Sequence, residues 1–215
     1  MLKAFEQFKS NIKAVNEMDA LYHHLISDLK LPNDLSDILR SQLVYAVSAL
    51  DNLIHELVKI GMLQAFINQR TKTNKFNCFS ISLETYNKIQ QTSQQPNILQ
   101  LEPPEYFFEQ EIIVKHKYLA FQEPDKIADA LSFIWEEKQK WQKIALLFNR
   151  PDDNIKKNLK SIVSRRNLIV HEADIDLQTN LRNSIDETDV KEAVDFIFKL
   201  GENIFKCCSA NSKDI

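Results

Sequence analysis

Ser161-Ile162-Val163-Ser164-Arg165-Arg166-Asn167-Leu168-Ile169-Val170-His171-Glu172-Ala173-Asp174 begins as an amphipathic helix and ends in an acidic tail. At about 100° per residue, Ile155, Leu159, Ile162, Val163, Ile169, Val170 and Ala173 fall on one apolar arc. Lys157, Lys160, Ser164, Asn167 and His171 fall on the opposite face. Arg166 breaks the pattern, because it stands in the middle of the apolar arc. A permanently charged guanidinium is costly there unless it is paired or faces a ligand. His171 follows five residues later, about 140° around an ideal helix. A straight helix does not aim both side chains at one atom. The spacing therefore predicts either a distorted helix or a site completed by a second copy of the chain.

The context is more specific than the spacing. Asn167 follows the arginine, Leu168-Ile169-Val170 fill the gap, and Glu172-Ala173-Asp174 follow the histidine. This wording resembles the HEPN superfamily (higher eukaryotes and prokaryotes nucleotide-binding), whose signature is an Arg, often followed by a polar residue, with a His a few residues on. It looks most like the ribonuclease-type branch named RiboL-PSP-HEPN. The earlier segment Leu43-Val44-Tyr45-Ala46-Val47-Ser48-Ala49-Leu50-Asp51-Asn52-Leu53-Ile54-His55-Glu56-Leu57 is similar to that branch's opening core helix. The resemblance spans about residues 35–208 and is tight in these two places.

Bulk composition points the same way. Two glycines and six prolines in 215 residues leave little turn punctuation, which favours long helices over a sandwich or a doubly wound sheet. The expected class is all-α. The resemblance implies an up-down helical bundle with an extra N-terminal helix. The whole chain, 1–215, reads as a single helical domain with core helices at about 34–68, 105–148, 152–172 and 186–208. A net charge of −3 excludes a globally basic nucleic-acid coat, so any RNA contact must use a local patch. Cys78, Cys207 and Cys208 show no metal or redox spacing, and the start has no apolar signal segment. Those features predict a cytoplasmic protein with no membrane span, metal or cofactor.

Along the chain, residues 4–29 read as the first helix. His23 and His24 on it read as surface residues, with no acidic or Cys partner at metal spacing. Asn33 or Asp34 is expected to cap the second helix. Its seam Leu43, Val47, Leu50, Ile54 and Leu57 marks a central element. Ser48, Asp51, Asn52, His55 and Glu56 form its polar flank, with Asp51 or Glu56 a candidate partner for Arg166. Residues 69–104 read as an irregular insertion. Within it, 76–80 has weak strand character, Ser82 caps a short helix to 90, and 90–97 is a low-complexity linker. A helix at 105–119 follows Pro103-Pro104. Pro124-Asp125 opens another to about Phe148, with Trp135 and Trp141 as packing residues. Asp152 or Asp153 is expected to cap the motif helix, and Asp186 the last one.

Arg150, Lys156, Lys157, Lys160, Arg165 and Arg166 outnumber Asp152 and Asp153 just ahead of Asn167. This basic excess reads as a phosphate-attracting patch, with Lys157, Lys160, Ser164 and Arg165 as candidate RNA contacts. RNA carries its own nucleophile, the 2′-hydroxyl, so no Ser, Cys or metal is needed. His171 can move the 2′-OH proton or protonate the leaving 5′-oxygen. Arg166 can stabilise the phosphorane-like transition state, and Asn167 can hold the phosphate or the imidazole. Glu172 is a candidate supporting residue.

The products would be a 2′,3′-cyclic phosphate and a 5′-hydroxyl, the metal-independent endoribonuclease cleavage that the resemblance also implies. It further implies a homodimer with a composite site, a toxin or phage-defence role, and an antitoxin or other regulatory partner. The alternatives are a non-catalytic HEPN-like module binding RNA, nucleotide or protein; a structural adaptor in which Arg166 is an internal ion pair; and a metal nuclease using Glu172, Asp174 and Asp176.

Overall fold

The central element is a helix of 31 residues, Ser36–Phe66 (α2), in a computed structural model that describes residues 1–94, 102–176 and 178–210. Leu43, Val47, Leu50, Ile54 and Leu57 recur every three or four positions along it, and all are buried. Ala46, Leu53, Val58 and Met62 widen that stripe, so neighbours pack on more than one side. The N-terminal helix Leu2–His23 (α1) lays Phe5, Phe8, Ile12 and Val15 against it. The last helix, Glu187–Ser209, contributes Val194, Ile197, Leu200 and Ile204. Fully burying each large aliphatic side chain contributes about 1.5–3 kcal/mol.

Both glycines of the chain lie inside helices at points of close approach. A Cβ on Gly61 would stand 2.5 Å from the Ile134 side chain, and one on Gly201 would stand 2.5 Å from the Phe8 ring. Their scarcity and their placement have one cause: this chain uses glycine for packing rather than for turns.

In chain order the described helices are α1, α2, Asn74–Asn77 (α3), Leu83–Gln94 (α4), Pro104–His116 (α5), Pro124–Leu131 (α6), Lys140–Phe148 (α7), Asp152–Glu172 (α8) and Glu187–Ser209 (α9). A π-helical turn, His24–Asp28, extends α1. Among the described residues there is no strand, only an isolated antiparallel bridge between Ile175 and Arg182. The all-α class holds, and no described helix is long and apolar enough to cross a membrane.

Several local expectations are corrected. Residues 124–148 form two helices, not one. Thr73 Oγ1 donates to the carbonyls of Ser132 and Phe133, and Arg70 Nη1 donates to that of Ile134. Those carbonyls are the ones a continuing helix would need, so the chain unwinds before α7. The supposed strand at 76–80 instead starts in the short helix α3. Thr73 caps it by accepting from Phe76 N at 3.0 Å. Ser82 does accept from Thr85 N, but its helix runs on to Gln94, through residues 90–94 of the proposed linker. The linker's remainder, 95–97, lies outside the described residues. Pro151, not Asp152 or Asp153, occupies the N-cap position of α8, and Leu35 that of α2, while Asp34 accepts from Ser36 N. Asp186 caps α9 as expected, accepting from Thr188 N and Asp189 N.

Candidate functional site

The motif lies on the C-terminal half of α8. That helix packs on α2, α6 and α7 through Ile155, Leu159, Ile162 and Val163, all buried. Beyond Val163 the apolar arc leaves the core: Ile169 is half-buried and Val170 is 47% exposed. Arg166 falls on this emerging part of the arc. The helix stays regular through Glu172, with no distortion between Arg166 and His171. Within one chain the two side chains therefore keep their offset of about 140°.

Arg166 is half-buried and has no carboxylate partner among the described residues. Its Nη1 donates to Asn167 Oδ1 at 3.0 Å, and its Nε is enclosed with no hydrogen-bond partner. An enclosed, unmatched guanidinium N–H is costly, and none of the described residues supplies its acceptor. His171 sits in the last turn, exposed and without a hydrogen bond among the described residues. Lys157, Lys160 and Ser164 are exposed on the same side of the helix as His171, and Asn167 is half-buried beside them. From Lys157 to His171 this row of polar groups runs about 21 Å along the axis.

The other assigned residues divide differently. Asp51 accepts from Phe121 N at 2.6 Å and Gln122 Nε2 at 3.1 Å, fixing the segment before α6 to α2. Glu56 accepts from Lys59 at 2.8 Å. Neither carboxylate pairs with Arg166. Glu172 is exposed at the helix end. Arg165, assigned to RNA, is engaged inward: its Nη2 reaches Asp174 Oδ2 at 2.9 Å and the Ser184 carbonyl at 2.8 Å. Lys156 is held by Asp152 and Asp153. The basic patch thus reduces to Arg150, Lys157, Lys160 and Arg166.

The sequence reading missed the hub to which Arg165 belongs. Asp174 is fully buried with φ of 61°, and Arg40 Nε donates to its Oδ2 at 2.7 Å. Arg40 also donates to Ser36 Oγ and the Asn183 carbonyl, while Asn183 Nδ2 donates to the Asp174 carbonyl. Two guanidiniums and an amide satisfy one carboxylate, which locks the loop after α8 onto α2. Arg40 was detectable, since it stands three residues before Leu43 on the apolar side of α2. Asp174 gave no such signal. The same hub counts against the metal-nuclease alternative, because the buried Asp174 has both oxygens engaged and Asp176 Oδ1 accepts from Gln178 N and Thr179 N.

Two hollows flank α8. The larger, about 870 Å³, lies between α8 and α9 over Leu43, Ile162 and Phe196, and its rim mixes Arg150 and Lys199 with Asp189 and Asp195. It contains none of Arg166, Asn167 and His171. The smaller, about 310 Å³, is bounded by Val44, Tyr45, Arg40 and Ile169, one turn from Arg166.

An all-α bundle with an Arg-Asn and a His on its penultimate long helix defines a HEPN-type domain. The sequence profile of the RiboL-PSP-HEPN family matches residues 9–210, and the chain belongs to that family. No curated protein and no solved structure matches significantly. Family membership supports a nuclease or RNA-binding module as the coarse class.

Proposed function

We propose that this chain is a metal-independent endoribonuclease that works as a homodimer with a composite site. The observation that carries the reading is Arg166: a half-buried guanidinium with an enclosed, unmatched Nε and no carboxylate partner among the described residues. An RNA phosphate supplies the missing acceptor, and its charge rises in the transition state. His171 takes the 2′-OH proton or returns one to the leaving 5′-oxygen. The bond from the 2′-oxygen to phosphorus forms as the bond to the 5′-oxygen breaks, leaving a 2′,3′-cyclic phosphate and a 5′-hydroxyl. Asn167, already bonded to Arg166, orients the guanidinium or contacts the phosphate. Lys157, Lys160 and Ser164 guide the strand along the helix.

A second copy answers the geometric difficulty, because a regular helix keeps Arg166 and His171 apart in one subunit. Tyr45, 60% exposed, and Val170, 47% exposed, offer apolar area beside the motif for that copy to cover. The toxin or phage-defence role, with a regulatory partner protein, rests on the family alone.

A second reading has its own observation. Among the described residues His171 has no partner to set its tautomer, and a non-catalytic RNA-, nucleotide- or protein-binding module needs none. The test is incubation with single-stranded RNA in excess EDTA, followed by end-group analysis. Cyclic-phosphate and 5′-hydroxyl ends, lost by about 10²-fold or more in His171→Ala, are expected. RNA that binds but stays whole would favour the non-catalytic module.

A further inference from the structure

Away from the motif, the end of α1 meets the start of α9. Asp19 and His23 lie four residues apart on one face of α1, and Glu187 is the first residue of α9. His23 Nε2 stands 3.0 Å from Glu187 Oε1 and 3.9 Å from Asp19 Oδ2, and the three donor atoms lie within 4.8 Å of one another. From the sequence His23 reads as a plain surface residue. Asp19, four residues before it, is an acidic neighbour on the same helix face, and Glu187 is brought in only by the fold.

We infer that Asp19, His23 and Glu187 form a site for a divalent transition metal, zinc by preference, that ties α1 to α9. Bonds of about 2.0–2.2 Å at tetrahedral angles place neighbouring donors about 3.3 Å apart. The two His23 separations bracket that value, so small side-chain rotations close the site. One neutral imidazole and two carboxylates carry a charge of −2, which the ion neutralises. This mixed nitrogen and oxygen set suits zinc better than calcium or magnesium, which take oxygen donors. Three protein ligands leave one position for water.

One feature of the backbone agrees with this. Directly after His23 the helix widens into the π turn His24–Asp28, a departure often found at binding sites. Asp186 and Asp34 are already occupied as acceptors of backbone N–H groups. The site shares no residue with Arg166, Asn167 or His171, so it stabilises the fold without entering the proposed chemistry.

The test is calorimetric titration of zinc into tag-free protein, paired with melting curves and the visible spectrum of the cobalt form. One ion per chain, a raised Tm, and a tetrahedral cobalt band without thiolate absorption are expected. His23→Ala and Glu187→Gln, both at partly exposed positions, should weaken binding about tenfold or more while leaving the metal-free Tm nearly unchanged. His24→Ala should bind as the parent does. No saturable zinc heat, or heat that survives His23→Ala undiminished, would leave the trio as a salt bridge between two helices and overturn the assignment.

Discussion

Arg165 and Arg166 are neighbours in sequence with opposite placements. Arg165 turns to Asp174 and the Ser184 carbonyl, whereas Arg166 has no anion among the described residues. Truncating them should therefore separate stability from function. Breaking the hub at its buried end, with Arg40→Ala or Asp174→Ala, should cost about 3–5 kcal/mol in urea unfolding, because the other charge is left enclosed. Arg165→Ala, at a half-buried position, should cost about 1–3 kcal/mol. Arg166→Ala should leave the unfolding free energy within about 0.5 kcal/mol of the parent. If Arg166→Ala instead unfolds the protein as Asp174→Ala does, the guanidinium is structural. Ala173 is another informative position. It ends α8 at φ of 52°, left-handed geometry that a side chain resists by about 1–2 kcal/mol. Ala173→Gly should raise stability by about 1 kcal/mol in the same assay.

At the scale of elements, α2 was the most legible part of the chain. Its apolar seam is long, and a buried stripe of that length has one reading. Leu57→Ala, at a fully buried position, should cost about 2–5 kcal/mol by chemical denaturation. The course of α8 through the motif and the Asp186 cap were equally readable, since each rests on contacts local in sequence. The break between α6 and α7 was not. It is made by Thr73 and Arg70, about 60 residues upstream, which capture carbonyls of the segment. The apparent strand character of residues 76–80 misled for a related reason. Phe76 and Phe79 pack on Phe108 from a helical turn and the residues after it, and short apolar runs do not reveal their period. Of the candidate site, the exceptional placement of Arg166 could be read, but the destination of Arg165 could not. That destination depends on a loop folding back over α2, and nothing periodic announces such a loop.

The whole molecule buries His116 among Phe79, Phe121 and Phe133, far along the chain from the motif. Burial, with the nearby charges of His55 and Lys75, lowers its pKa to about 4. The unfolded chain protonates this imidazole near its ordinary 6.5, so between those values the unfolded state holds more protons. Stability is then complete above pH 6.5 and falls as pH drops towards 4. Unfolding free energies measured across that range should slope downward with acid in the parent. The slope should be shallower in His116→Phe, which keeps an aromatic ring and removes the proton site. Equal slopes would show that other groups control acid sensitivity.

Assembly belongs to this scale too. A composite site predicts that cleavage per chain falls on dilution as dimers separate, which light scattering and activity measured together would follow. Activity per chain that stays constant in demonstrably monomeric protein would place both roles in one subunit. The most direct measurement of all is the rate at which Arg166→Ala cleaves single-stranded RNA in EDTA, with its Tm recorded beside it. The predicted result is an unchanged Tm and a rate lower by about 10²–10³-fold. Cleavage at the parent's rate by a fully folded Arg166→Ala protein would contradict the account.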